Sequence, residues 1–352
     1  MKVGQLTLND YDSYGNMLQK YALYRTLKKF ADTVEILWLD SINPFTPYVL
    51  ELNRQEVGNL RDVAFKSVSQ NKFKEFNDAN MKTRFDIPHL SDIADDYDYF
   101  VIGSDQVWNP NFVVPGRFLD FAPTEKRIAY AASIAVSKLP ERVIENYRQK
   151  ILEMAHVSVR EREGCNLIEK ITGKRPVQVL DPVFLLSVEE WREIAKRPTW
   201  LNQKKYERGY LLTYFFNGKP PEQVNALAAK LDLPVINLKD IDNFNHYITG
   251  VEEFLYLVDH ATLFCTHSFH GAAFSLIFKR PFIVYFIDSV LISRFTRVSS
   301  LLDMVNLRDR VTDSNLNIKV ADPLTIDFSR CDEVLPAEQK RSLKFLANAL
   351  WQ

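Results

Sequence analysis

Short apolar runs alternate along this chain with longer stretches in which apolar positions recur at helical spacing, and the alternation continues through most of its length. Val3 to Leu8, Thr33 to Leu39, Tyr97 to Ile102, Arg127 to Ala132, His156 to Val159 and Val177 to Leu180 predict buried strands. Between them the pattern predicts helices over Met17 to Phe30 and Pro140 to Met154, and one or two amphipathic helices over Gln55 to Met81, after a break at Asn43 to Pro47. A charged segment from Ser187 to Gln203, with Trp191, Pro198 and Trp200, interrupts the alternation. A second set then follows. Its strands are Tyr210 to Phe216, Val235 to Leu238, Leu263 to Cys265 and Ile283 to Phe286, and its helices are Pro221 to Leu231, Val251 to His260, Gly271 to Phe278 and Ile292 to Val305.

Such alternation is the signature of α/β folding. Two facing Rossmann-like domains are expected: residues 1–190, with a helical excursion over about 50–85, and residues 205–335. A helix over 336–352, with Leu343, Leu346 and Leu350 on one face, can pack back on the first domain.

The stretch from Ala261 to Phe286 reads as strand, polar turn, helix, strand. In a parallel sheet the turn lies at the carboxyl edge, where ligands bind. The free N–H groups of a helix start favour an anion there. Thr266, His267, Ser268, Phe269, His270 and Gly271 are therefore the first candidates for chemistry. Polar residues also follow the strands of the first half, notably Asn16, Gly103 to Asn109, Arg160 with Glu161, and Asp181.

At 352 residues the chain exceeds the usual size of one core, and 46% hydrophobic content is ordinary for a folded protein. A net charge of -1 gives no general attraction to nucleic acid or to an anionic membrane, so any anion site must be local. Cys165, Cys265 and Cys331 show no metal-ligand spacing, which argues against a zinc site and a disulfide framework. No run suits a membrane span, and the N-terminal residues lack the apolar core of a signal peptide. The expected location is cytoplasmic, either free or peripheral at the inner face of the membrane.

The motifs, taken in order, resemble the polysaccharide pyruvyl transferase family over nearly the whole chain. They are Tyr14-Gly15-Asn16 with Leu18-Gln19 and Tyr21-Ala22-Leu23, then Gly103-Ser104-Asp105-Gln106-Val107-Trp108-Asn109 and Ser158-Val159-Arg160-Glu161. Asp181-Pro182-Val183, Ser268-Phe269-His270-Gly271, Pro281-Phe282 and the helix Arg294 to Leu302 complete them. The resemblance implies a two-Rossmann, glycosyltransferase B-like fold, an acceptor side in the first domain and a donor side in the second. It also implies transfer of pyruvate from phosphoenolpyruvate to a sugar as a ketal, in capsule or other surface-glycan synthesis. No cofactor or metal is expected, and the acceptor sugar is expected to be soluble, nucleotide-linked or lipid-linked. One departure stands out: many members carry Ser-x-Arg-x-His-Gly at the central turn, and Ser268 occupies the arginine position here.

On this reading His270 is the acid/base group or a phosphate contact, because imidazole titrates near neutrality. A core or capping histidine is the plain alternative, and His267 is expected to be structural. Asp105 is a candidate base or sugar contact, or else a turn-stabilising residue. Arg160, Ser268, Gly271, Arg294 and Arg297 are candidates for the donor, with Arg280 a further cation and a surface ion pair the alternative for Arg160. Asn16, Gln106 and Trp108 are candidates for the acceptor, although by residue type alone Asn16 is better suited to N-cap the first helix, and aromatics such as Trp108 and Phe112 are commonly core. Asp181 fits loop fixing as well as catalysis. Two other functions compete: a nucleotide-sugar glycosyltransferase on the same fold, against which the absence of G-x-G-x-x-G counts, and a non-catalytic glycan-binding protein, for which Ser268 is the only support.

Overall fold

The computed structural model describes residues 1–39, 60–202, 204–216, 218–286, 292–313 and 320–351, with the side chains of 60, 292–296 and 313 excepted. The predicted break at Asn43 to Pro47 lies outside the described residues. The chain forms two compact units. One holds the N-terminal segment, Asn77–Leu186 and the chain from Pro336 on; the other holds Ser187–Leu335 and the helical residues up to Phe76.

In the first unit the strands are β1 (Lys2–Leu6), β2 (Thr33–Leu37), β3 (Thr83–Arg84), β4 (Tyr99–Ile102), β5 (Arg127–Ala132), β6 (His156–Val159) and β7 (Val177–Gln178). They form a sheet in the order β3-β2-β1-β4-β5-β6-β7, parallel throughout. The chain runs outward from β1 to β3, then resumes on the other side of β1 with β4. The carboxyl ends of β1 and β4 therefore flank a topological switch point, where such sheets open a crevice.

In the second unit β8 (Leu211–Tyr214), β9 (Val235–Leu238), β10 (Leu263–Thr266), β11 (Phe282–Phe286) and β12 (Val311–Asp313) form a parallel sheet in the order β12-β11-β10-β8-β9. Its switch point lies between β8 and β10. Thr266 pairs with Tyr214 at the carboxyl end of that strand pair. Strands such as β10 and β11 are buried along nearly their whole length, which is why they read as continuous apolar runs.

Three elements depart from the sequence pattern for identifiable reasons. Val188–Ile194 is a helix begun by a capping box, in which Ser187 Oγ accepts from Glu190 N at 3.1 Å and Glu190 Oε2 accepts from Ser187 N at 2.8 Å. Its charge had made it look like an interruption. The last helix starts at Ser329 rather than Pro336 and runs to Leu350 with the proline inside it. Proline suits a first turn, which is why the sequence suggests a start there. From Pro336 on, this helix belongs to the first unit: Ser342 Oγ accepts from Leu180 N at 2.9 Å, and Gln339 Nε2 donates to Phe184 O at 2.9 Å. The first helix spans Tyr14–Leu27, earlier than its apolar periodicity indicates. No helix among the described residues is long and apolar enough to cross a membrane.

Candidate functional site

Each switch point carries a cluster of the residues singled out above. In the first unit Gly103 ends β4 with φ 132°, and a Cβ there would lie 2.0 Å from Tyr130 O. Only glycine fits, so the chain can pass against β5 and turn at Asp105, whose φ of 64° is one that Asp tolerates. Ser104 N donates to Gln19 Oε1 at 3.0 Å, Gln19 Nε2 donates to Thr7 Oγ1 at 3.1 Å, and Thr7 Oγ1 donates to Ser104 O at 3.2 Å. That closed ring ties the ends of β1 and β4 to the first helix.

Arg160, at the end of β6, is buried among three carboxylates. Nη1 meets Asp181 Oδ2 at 2.5 Å, Nη2 meets Asp105 Oδ1 at 3.5 Å and Nε meets Glu161 Oε2 at 3.8 Å. Burial opposes the charge, yet Asp181, Asp105 and Glu161 outweigh it and hold the guanidinium above its ordinary pKa. A donor anion at Arg160 would compete with all three, so the alternative of an ion pair is realised in a buried form. Glu161 is itself engaged, its Oε1 accepting from Ser133 Oγ (2.9 Å) and from the N–H of Ile134 (3.0 Å) and Ala135 (3.2 Å). Asp181 Oδ1 accepts from Val183 N at 3.1 Å, and Ser104 Oγ donates to Oδ2 at 3.3 Å. Loop fixing is thus part of what Asp181 does.

The acceptor candidates separate. Asn16 does not cap its helix: the N-cap is Ser13, whose Oγ accepts from Asn16 N at 3.3 Å. The Asn16 side chain is 2% exposed, and among the described residues neither of its amide atoms has a partner. An amide sealed from water without hydrogen bonds costs stability, which makes it a feature to explain. Gln106 is half-buried and accepts from Asn109 Nδ2 at 2.8 Å. Trp108 is a correction. It is fully buried in the core beside Phe118, with its indole N–H on Arg117 O at 2.7 Å, and offers no face to a sugar. Phe112 packs against the same core.

In the second unit the central turn closes on itself through hydroxyls. Thr266 Oγ1 donates to Tyr214 O at 2.7 Å and accepts from Ser268 N at 3.0 Å. Ser268 is the N-cap of the helix Phe269–Phe278, its Oγ accepting from Gly271 N at 3.3 Å. A Cβ on Gly271 would come within 2.8 Å of Thr266 Cγ2, so glycine permits this close approach of helix to strand. The residue in the arginine position is thus bound into the helix start. His270 lies in the first turn, buried, its ring edge-on to Phe269 at 5.1 Å. His267 is packed by Phe216 at 4.2 Å and Phe215 at 5.2 Å, and its Nε2 accepts from Phe216 N at 3.5 Å, a structural placement.

Of the cations, Arg297 is buried on the helix Ile292–Met304, and the side chain of Arg294 lies outside the described residues. Arg280 is placed at the wrong end of its helix to serve the turn. It precedes β11 and pairs with Asp259 at 3.1 Å, which also binds Arg192 Nε at 2.7 Å. Among the described residues no group of three or more His, Cys, Asp or Glu is arranged to hold a metal ion.

Two residues escaped the sequence reading. Every residue of the helix Tyr14–Leu27 but Arg25 is buried, so Lys20 has no solvent face to occupy and lies fully inside. Asp10, just before that helix, is nearly as deep. The signal for Lys20 was a lysine within a helix that is otherwise apolar or functional in pattern.

Solved structures similar to this chain share its fold. UGT89C1 of Arabidopsis thaliana complexed with UDP-L-rhamnose is 11% identical with a TM-score of 0.52, over 100% of this chain and 99% of that one. UDP-GlcNAc 2-epimerase of Methanocaldococcus jannaschii is 12% identical with a TM-score of 0.50, over 99% and 93%. These are two-domain enzymes of the glycosyltransferase B type, and the likeness concerns architecture alone. No curated protein matches the sequence. The family model for polysaccharide pyruvyl transferase matches residues 14–289, a span that runs from the first helix past β11 and includes β4, β8 and β10 with the turns that follow them. The chain therefore belongs to the polysaccharide pyruvyl transferase family, transferases of polysaccharide synthesis with a sugar acceptor.

Proposed function

We propose that this protein transfers pyruvate from phosphoenolpyruvate to a sugar, closing a ketal on two hydroxyls, in the synthesis of a capsule or other surface polysaccharide. Family membership over residues 14–289 is the observation that carries the reading. The reaction adds a proton to the methylene carbon C3, bonds a sugar oxygen to C2, and expels phosphate as a second hydroxyl closes the ring. It needs a proton donor, a base and a cradle for anions, and it formally needs no metal.

The second switch point suits the donor. A helix start places partial positive charge there, and the surrounding Thr266 and Ser268 are neutral. His270 in that first turn is the group assigned to the proton at C3, and Arg297, with Arg294, is the reserve of positive charge on the neighbouring helix. The first switch point suits hydroxyls. Carboxylates such as Asp105 accept from them, and the amide of Asn16 both donates and accepts. The acceptor is expected to be soluble, nucleotide-linked or lipid-linked, and the enzyme to work in the cytoplasm or at the inner membrane face.

The test is to incubate the protein with phosphoenolpyruvate and a panel of UDP-hexoses and nitrophenyl hexosides, and to analyse products by mass spectrometry. An acceptor carrying one pyruvyl ketal, formed with stoichiometric phosphate, is the expected result. Release of nucleoside diphosphate from a UDP-hexose with no pyruvyl product would show a glycosyltransferase instead.

A further inference from the structure

Arg160 presents its three nitrogens to three different carboxylates, Nη1 to Asp181 at 2.5 Å, Nη2 to Asp105 at 3.5 Å and Nε to Glu161 at 3.8 Å. A guanidinium can do this because its donors diverge in one rigid plane, whereas an ammonium offers a single nitrogen and would settle on one partner. The four side chains differ in access. Asp181 is 0% exposed and Arg160 and Glu161 are 3% exposed, whereas Asp105 reaches 13%. The cluster therefore meets the crevice at the first switch point through Asp105, and a ligand arriving there touches that carboxylate before it touches the cation.

Asp105 is also held through its backbone. Its φ of 64° sets the turn after β4, and its carbonyl accepts from Val107 N at 2.8 Å and from Ser133 N at 2.9 Å. Ser104, immediately before it, is fixed by its own hydroxyl, which donates to Ala131 O at 3.0 Å and to Asp181 Oδ2 at 3.3 Å. With the main chain pinned, the carboxylate keeps only its side-chain rotation, and the buried charge of Arg160 biases that rotation toward Nη2. Arg160 is steadied in turn by Glu161 and Asp181, each of which also accepts from backbone N–H groups. A carboxylate fixed in this way can receive a hydroxyl without first being ordered by it.

We propose that Arg160 is a positioning residue for the acceptor: it fixes the Asp105 carboxylate to accept a hydrogen bond from a hydroxyl of the acceptor sugar, and it does not bind phosphoenolpyruvate. The assignment rests on the reading of the chain as a pyruvyl transferase. It moves Arg160 from the donor to the other substrate. A donor anion would have to displace carboxylates from a cation that three of them already surround, whereas a sugar hydroxyl brings a donor to a place where acceptors are in excess.

Acceptor-dependent phosphate release is measured for the wild type, Asp105→Asn, Arg160→Lys and the double variant. Phosphoenolpyruvate and a UDP-hexose or nitrophenyl hexoside are varied in turn, and a melting curve is recorded for each protein. Asparagine is chosen at 105 because it tolerates the left-handed backbone of that turn. Asp105→Asn should lower kcat/KM for the acceptor about 10- to 100-fold, as loss of a charged hydrogen bond does, and leave KM for phosphoenolpyruvate within about twofold. Arg160→Lys should lower the same quantity in the same direction, and the double variant should fall no further than Asp105→Asn alone, because Arg160 acts through Asp105. A merely structural arginine would reduce the amount of folded enzyme and leave both KM values unmoved. A raised KM for phosphoenolpyruvate in Arg160→Lys, losses that multiply in the double variant, or an unchanged acceptor kcat/KM in either folded single variant overturns the assignment. If Arg160→Lys does not fold, Asp105→Asn still decides: were Arg160 the donor ligand, removing a competing carboxylate would lower KM for phosphoenolpyruvate, and an unmoved KM with the acceptor loss upholds the positioning role. A wild type inactive with every acceptor overturns the pyruvyl-transfer reading itself, and the assignment with it.

Discussion

Along the carboxyl edge of the first sheet, from its switch point at β4 out to β7, the side chains are charged and hold one another: one guanidinium, Arg160, faces Asp105, Glu161 and Asp181. At the ends of β8 and β10 they are hydroxyls and imidazoles gathered around a helix start. Both places are switch points of a parallel sheet, and the topology alone would make them equivalent. The difference lies in what each leaves to a ligand. An excess of carboxylate repels an anion and accepts hydrogen bonds from hydroxyls, whereas a helix start among neutral groups favours an anion. The proposal of acceptor in the first unit and donor in the second rests on that contrast rather than on any one residue.

Four substitutions test the contrast. His270→Ala should lower turnover by about 10²- to 10⁴-fold, as loss of a positioned proton donor does, while the melting temperature stays within a few degrees. Arg160→Met should destabilise the first unit by about 3–5 kcal/mol, because it leaves buried carboxylates without their cation; a shift of the urea midpoint measures it. If Arg160 instead served mainly to bind phosphoenolpyruvate, KM for the donor would rise with little loss of stability.

Lys20→Met should act in the opposite direction. Burial depresses Lys20 from 10.5 to about 7, so between those values the unfolded chain holds a proton that the folded one does not. Stability should rise with pH across that window in the wild type. The variant should lack that slope and be more stable at pH 7 by about 2–4 kcal/mol, as urea titrations at several pH values would show. Ser268→Ala removes the N-cap of the helix Phe269–Phe278 and should cost about 1 kcal/mol, the smallest effect of the four.

Much of this was legible in the sequence. β5, β6 and β9 fall where their apolar runs place them, and the turn from Thr266 to Gly271 lies at the carboxyl edge as its strand-helix pattern implies. The two-strand edge pieces escaped. β3 is two residues long and neither strongly apolar nor alternating, and β12 is similarly brief. Site residues were harder, because a residue's type does not say which way it faces. Trp108 looks like a sugar platform in its motif yet fills the core, and Arg280 follows the right helix but emerges at its far end. Lys20 was hidden for the converse reason: lysine on a helix reads as solvated, and only the burial of nearly every neighbour shows otherwise.

The central claim is that the helix start at Ser268 to Gly271 receives phosphoenolpyruvate with His270 against it. It is tested most directly by crystals soaked with phosphoenolpyruvate. Density for the phosphate and carboxylate within hydrogen-bonding reach of His270 and the N–H groups of that first turn is the predicted result. Donor density seated instead on Arg160 at the end of β6, with the turn at Ser268 empty, would contradict the account.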